Sequence, residues 1–96
     1  MKLFVIIRKD LSTSQQAVQA GHALAEHLLH GRSPEWKNDI LIYLGVKDLF
    51  HLEKIMCKFE MMDIPFTKFH EPDLNNEVTA IVTDSHNKII EKLNLL

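Results

Sequence analysis

The chain has 96 residues, 46% hydrophobic and 25% charged, which suits one globular domain with one core and argues against disorder. Eleven Lys and Arg against thirteen Asp and Glu leave a net charge of −2, so bulk attraction to nucleic acid is not expected and any such contact must be local. No apolar run approaches the ~20 residues of a membrane span, and the lone cysteine, Cys57, excludes an internal disulfide and points to a reducing compartment.

Lys2 to Arg8 is a β-branched and aromatic run that predicts a strand covered on both faces. Starting right after Met1-Lys2, it leaves no room for a leader peptide, so a cytoplasmic location is expected. Ser12 with Gln15, or Thr13 with Gln16, has capping-box spacing and opens a helix that runs to about His30 and stops at Gly31. Its expected core face is Ala17, Ala20, Gly21, Leu24 and Leu28. Arg32 to Asp39 reads as a loop in which Trp36 plugs the core. Ile40 to Val46 is a second buried strand. Asp48 caps a second helix with Leu49, Leu52, Ile55, Met56, Phe59 and Met62 at helical period, ending before Pro65. Phe66 to Glu71 alternates as a third strand, Pro72 to Asn76 is a turn, and Val78 to Thr83 is its hairpin partner. Ser85 to Leu95 is expected to form a last helix. The order βαβαββα predicts an α/β fold, a mixed four-stranded sheet with helices on both faces and the first two strands in its interior. Ligands favour the crevice at the carboxyl ends of such strands, here Arg8–Ser14 and Glu71–Asn76.

Gln15, Gln19, His22 and Glu26 fall at i, i+4, i+7 and i+11 of the first helix and share one face. That stripe is either a solvated surface or a ligand or partner face; His22 can accept a proton near neutral pH. The pair His27 and His30 has no second ligand cluster, so no metal is expected. Cys57 reads as a packed structural thiol, and Met56, Met61 and Met62 as gap-filling core residues. The chain has no Gly-rich phosphate loop, and no cofactor is expected.

Arg8-Lys9-Asp10-Leu11 after the first strand, then Gln19-Ala20-Gly21-His22-Ala23, Tyr43-Leu44-Gly45-Val46, Ile64-Pro65 and Val78-Thr79-Ala80-Ile81-Val82, resembles the type 2 peptidyl-tRNA hydrolases over nearly the whole chain. Glu71-Pro72-Asp73 looks like a small divergent branch. The resemblance implies hydrolysis of the ester joining a peptide to the 3′ end of tRNA, with Gln19 and His22 on the first helix and Thr79 on the last strand as site residues. The family's helix lysine falls on Gln15, and Arg8 or Lys9 is the candidate substitute cation. The family's acidic residue after the third strand corresponds to Glu71 or Asp73. The competing expectation is a non-catalytic module of the same fold that binds RNA or a protein. The small residues on the first helix also suggest a homodimer.

Overall fold

A computed structural model describes residues 1–96. The elements are β1 (Lys2–Arg8), α1 (Thr13–Leu29), β2 (Ile40–Val46), α2 (Leu49–Met61), β3 (Thr67–Glu71), a 3-10 turn (Pro72–Leu74), β4 (Glu77–Thr83), α3 (Lys88–Glu91) and β5 (Asn94–Leu95). They form one mixed sheet in the order β3-β4-β1-β2-β5. β1 and β2 are parallel, β4 is antiparallel to both β1 and β3, and β5 is antiparallel to β2. β1, β2 and β3 therefore point the same way, and their carboxyl ends share one edge of the sheet. No helix is long and apolar enough to cross a membrane.

The apolar run of β1 is buried on both sides. Phe4 and Ile6 join Leu52, Ile55, Met56 and Phe59 of α2, whereas Leu3, Val5 and Ile7 meet Ala20 and Ala23 of α1 and the buried Trp36. The Trp36 indole N–H donates to the Ile40 carbonyl at 2.9 Å, so the plug expected in this loop is also pinned to β2. Ser12 caps α1 by accepting from the Gln15 backbone N–H, and Asp48 caps α2 by accepting from that of His51. Gly31 ends α1 with φ +70, a conformation glycine adopts without steric cost.

The sheet has five strands, not four. Asn87 caps α3 through the N–H groups of Ile89 and Ile90, but that helix lasts one turn before the chain reverses. Asn94 and Leu95 then pair with Gly45 and Leu44, covering part of an otherwise open edge. A two-residue strand covers little, so Ile40 and Leu41 stay exposed and β2 is buried only toward its end.

The first helix is also rotated from the expected face. Gln19, Ala20, Ala23 and His27 are buried, while Ala17, Gly21 and Leu28 face solvent. Cys57 is exposed, as are Met61 and Met62 beyond the last core turn of α2, so none of the three fills the core.

A Cβ added at Gly21 would meet nothing within 4 Å. Gly21→Ala should therefore raise stability by about 0.5–1 kcal/mol through helix propensity and unfolded-state entropy. Ala23→Leu, at a fully buried position, should lower it by about 1–3 kcal/mol through overpacking. Chemical denaturation of the two variants checks both signs.

Candidate functional site

Gln19 lies on the sheet side of α1 with 0% exposure. Its Oε1 accepts from Thr79 Oγ1 at 2.6 Å. Its Nε2 donates to Glu71 Oε1 at 2.7 Å and to Gln15 Oε1 at 3.2 Å. Both amide protons and the carbonyl are thereby used, and no buried side-chain polar atom of the molecule is left without a partner.

A bulge in β4 makes this possible. Phe69 pairs with Ala80 and His70 with Val78, so Thr79 is an extra residue in β4. Val78 and Ile81 face the α2 core and Ala80 and Val82 the α1 core, while Thr79 turns its hydroxyl to Gln19. Bulges commonly re-aim a side chain in this way.

Glu71 is half-buried at the carboxyl end of β3. One oxygen is held by Gln19, and the other receives the Asp73 backbone N–H at 3.4 Å. The 3-10 turn behind it closes on Asn75 and Asn76, both in left-handed conformations that asparagine tolerates. Of the two candidate acids, Glu71 meets the α1 residues, while Asp73 is exposed.

His22 is exposed, one turn beyond Gln19. Its ring stacks on Phe69 with centroids 4.8 Å apart and planes 7° from parallel. Phe69 precedes Glu71 by two residues, on the same face of β3. The imidazole therefore lies on the α1 side of the sheet, against the strand that carries Glu71.

The two candidate cations do not join this group. Arg8 is only 6% exposed and is committed to structure. Its Nε and one terminal nitrogen donate to the Asp10 carboxylate at 3.0 and 2.8 Å, and the other terminal nitrogen reaches Glu77 at 2.7 Å and the Val78 carbonyl at 3.3 Å. The Asp10 hydrogen bonds hold the guanidinium above its ordinary pKa, and the same bonds hold the Asp10 carboxyl below the usual range. Lys9 lays its stem over Gly45 of β2, where an added Cβ would come within 2.6 Å of it. That strand lies on the far side of β1 from β4 and β3.

A second polar cluster escaped sequence reasoning. His27, 4% exposed, touches Thr67 Oγ1 through Nδ1 and Ser33 Oγ through Nε2, each at 2.8 Å, and Ser33 donates to Asp84 Oδ2 at 2.6 Å. The single Ser33 proton goes to the carboxylate, so Nε2 of His27 is the donor to Ser33 and Nδ1 accepts from Thr67. Ser33 holds φ +49, an uncommon conformation for a non-glycine residue. The chain of bonds ties α1, the following loop, β3 and the end of β4 together. Partners this far apart in sequence leave no spacing signal; the one available clue was a histidine at i+4 and i+8 from Ala23 and Gln19 on the same face. His30 instead turns to the Glu26 carbonyl, and no group of three His, Cys, Asp or Glu is placed to hold a metal ion.

No protein-family model matches this chain, and no curated protein matches its sequence.

Burial holds His27 below its ordinary value of 6.5, outweighing the opposite pull of Asp84. A histidine kept neutral by folding contributes stability that is complete above its unfolded pKa and is lost as pH falls through the lowered folded value. The melting temperature should therefore drop between pH 7.5 and 5. His27→Gln should lower stability by about 1–3 kcal/mol at pH 7.5 and flatten that pH dependence; a wild-type slope in the variant would refute the assignment.

Proposed function

We propose that this protein hydrolyses the ester between a peptidyl or aminoacyl group and the 3′ end of tRNA, as the type 2 peptidyl-tRNA hydrolases it resembles do. The observation that carries the reading is the Gln19 amide, which joins Thr79 of β4 to the Glu71 carboxylate, with the exposed His22 ring stacked on Phe69 of the strand that carries Glu71. Three residues that the resemblance marks as functional thus fall on one hydrogen-bonded chain.

In this reading Glu71 is the general base. It takes a proton from water as the water oxygen attacks the ester carbonyl. His22, held by its stack on Phe69, donates to the oxygen that gains charge. When the tetrahedral intermediate collapses, the bond to the ribose oxygen breaks, the proton returns to that oxygen, and the acid leaves. Gln19 and Thr79 are positioning residues, since a buried amide with every bond satisfied fixes the direction of the carboxylate but has no group left for substrate.

With a purified peptidyl-tRNA, Glu71→Gln should keep the fold and reduce turnover by about 10²–10⁴, the usual contribution of an acid–base group. His22→Ala should reduce turnover more than it reduces thermal stability, because the ring is exposed. Arg8, locked to Asp10 and Glu77, supplies no free cation to this site, and Gln15 is uncharged. That pair of facts favours the second reading, a non-catalytic module of the same fold. Wild-type protein without turnover on peptidyl-tRNA would establish the second reading over the first.

The cytoplasm is the proposed location, and a homodimer through the outward face of α1 the proposed assembly. Val18, Leu28 and Leu29 are exposed there alongside Gly21 and Ala25, giving a surface on which a second copy can approach closely. Light scattering should give twice 11.1 kDa; a monomer mass at micromolar concentrations would remove the dimer.

A further inference from the structure

The largest concavity lies on the other face of the sheet from Gln19. It is a groove of about 230 Å³ between α2 and the segment joining α3 to β5, opening at the carboxyl end of β2. Its floor is Val46, Ile55 and Leu93, and its walls carry Lys47, Lys54, Lys58 and Lys92. None of these four lysines takes part in a salt bridge; the ion pairs of the molecule belong to Arg8, three histidines and the N-terminus.

The placement is not a by-product of an ordinary solvated helix. At ~100° per residue, His51, Lys54 and Lys58 fall within about 60° of one another, while Glu53 and Glu60 fall on the opposite side of α2. Lys54 and Lys58 are thus like charges at i, i+4, an arrangement that weakens an isolated helix, where alternation with the nearby glutamates would support it. No acid lines the groove; Asp48 is turned to His51 at 2.6 Å and Glu91 to His86 at 3.5 Å. In a chain of net charge −2, four unpaired ammonium groups around one groove concentrate positive charge locally.

Beside it, Phe50 is 63% exposed. The Lys54 ammonium lies 5.4 Å from its ring centroid, and the His51 ring meets it edge-on at 5.6 Å. An exposed aromatic face next to a row of cations is the combination that holds unpaired bases along with their phosphates. The row from His51 to Lys58 is ~10 Å long at 1.5 Å per residue, the reach of two or three consecutive phosphates of one strand.

We propose that this groove binds the phosphate backbone of a single-stranded nucleic acid, with one base stacked on Phe50. Binding here makes no use of the Glu71 carboxylate, so it stands or falls apart from the ester chemistry.

The test is fluorescence anisotropy with a labelled single-stranded RNA of about 12 nucleotides that carries no ester. The logarithm of the affinity should fall with the logarithm of salt at a slope of about −1.4 to −2.1, as two or three phosphate contacts require. Lys54→Gln with Lys58→Gln, both at exposed positions, should weaken binding about tenfold or more and make the slope shallower by about 1.4. Phe50→Ala should weaken binding about tenfold with the slope unchanged. Lys68→Gln, on β3 away from the groove, should bind as wild type does. Circular dichroism checks that each variant is folded. Wild-type affinity and slope in the double lysine variant overturn the proposal. So does a duplex that binds as tightly as the strand, or displacement of the strand by pyrophosphate or polyglutamate at equal charge.

Discussion

A glutamine amide with no solvent exposure sits where the first helix meets the sheet, and its three hydrogen bonds constrain everything around it. A buried amide left unpaired costs a large fraction of a small domain's stability, roughly 1–3 kcal/mol per group. Gln19 must therefore face β4 and β3, which sets the rotation of α1. That rotation sends Ala20 and Ala23 onto β1 and His27 into its own polar pocket, and it turns Val18, Gly21 and Leu28 to solvent. The extra residue Thr79 in β4 completes the arrangement, because regular alternation between Val78 and Ala80 would aim its side chain away from α1.

The same constraint assembles the site. Glu71 is the last residue of β3, and β3 runs parallel to β1 because two antiparallel pairings with β4 separate them. The α1 amide and the β3 carboxylate consequently arrive at one edge from opposite ends of the sequence. Phe69, two residues earlier, meets His22 from the same strand face. Acid, amide and imidazole are thereby held on a helix and a strand rather than on a loop, which limits how far they can move relative to one another.

Positive charge has two uses in this fold. Arg8 locks the end of β1 to Asp10 and to Glu77 at the start of β4. Four lysines outside any ion pair line the groove beside α2, where β5 supplies one wall. Net charge conceals this local concentration, since a near-neutral total is compatible with a strong local field.

Local order was legible from the sequence. The β-branched run of β1, the caps Ser12 and Asp48, the stop at Gly31 and the break before Pro65 each depend on neighbours within a few residues, so the chain declares them directly. The polar stripe on α1 was also visible, and with it Gln19 and His22 as candidates. What the pattern could not say is which members of the stripe turn inward. That choice rests on partners 52 and 60 residues away, Glu71 and Thr79, and so do the commitment of Arg8 to Glu77 and the network of His27 with Ser33, Thr67 and Asp84. The fifth strand belongs to the same class: Asn94 and Leu95 carry no strand signature and extend only because β2 offers an unpaired edge. Short-range sterics and hydrogen bonding fixed the elements, whereas the pairing of polar groups across the sheet, which only the folded chain brings within reach, decided the site.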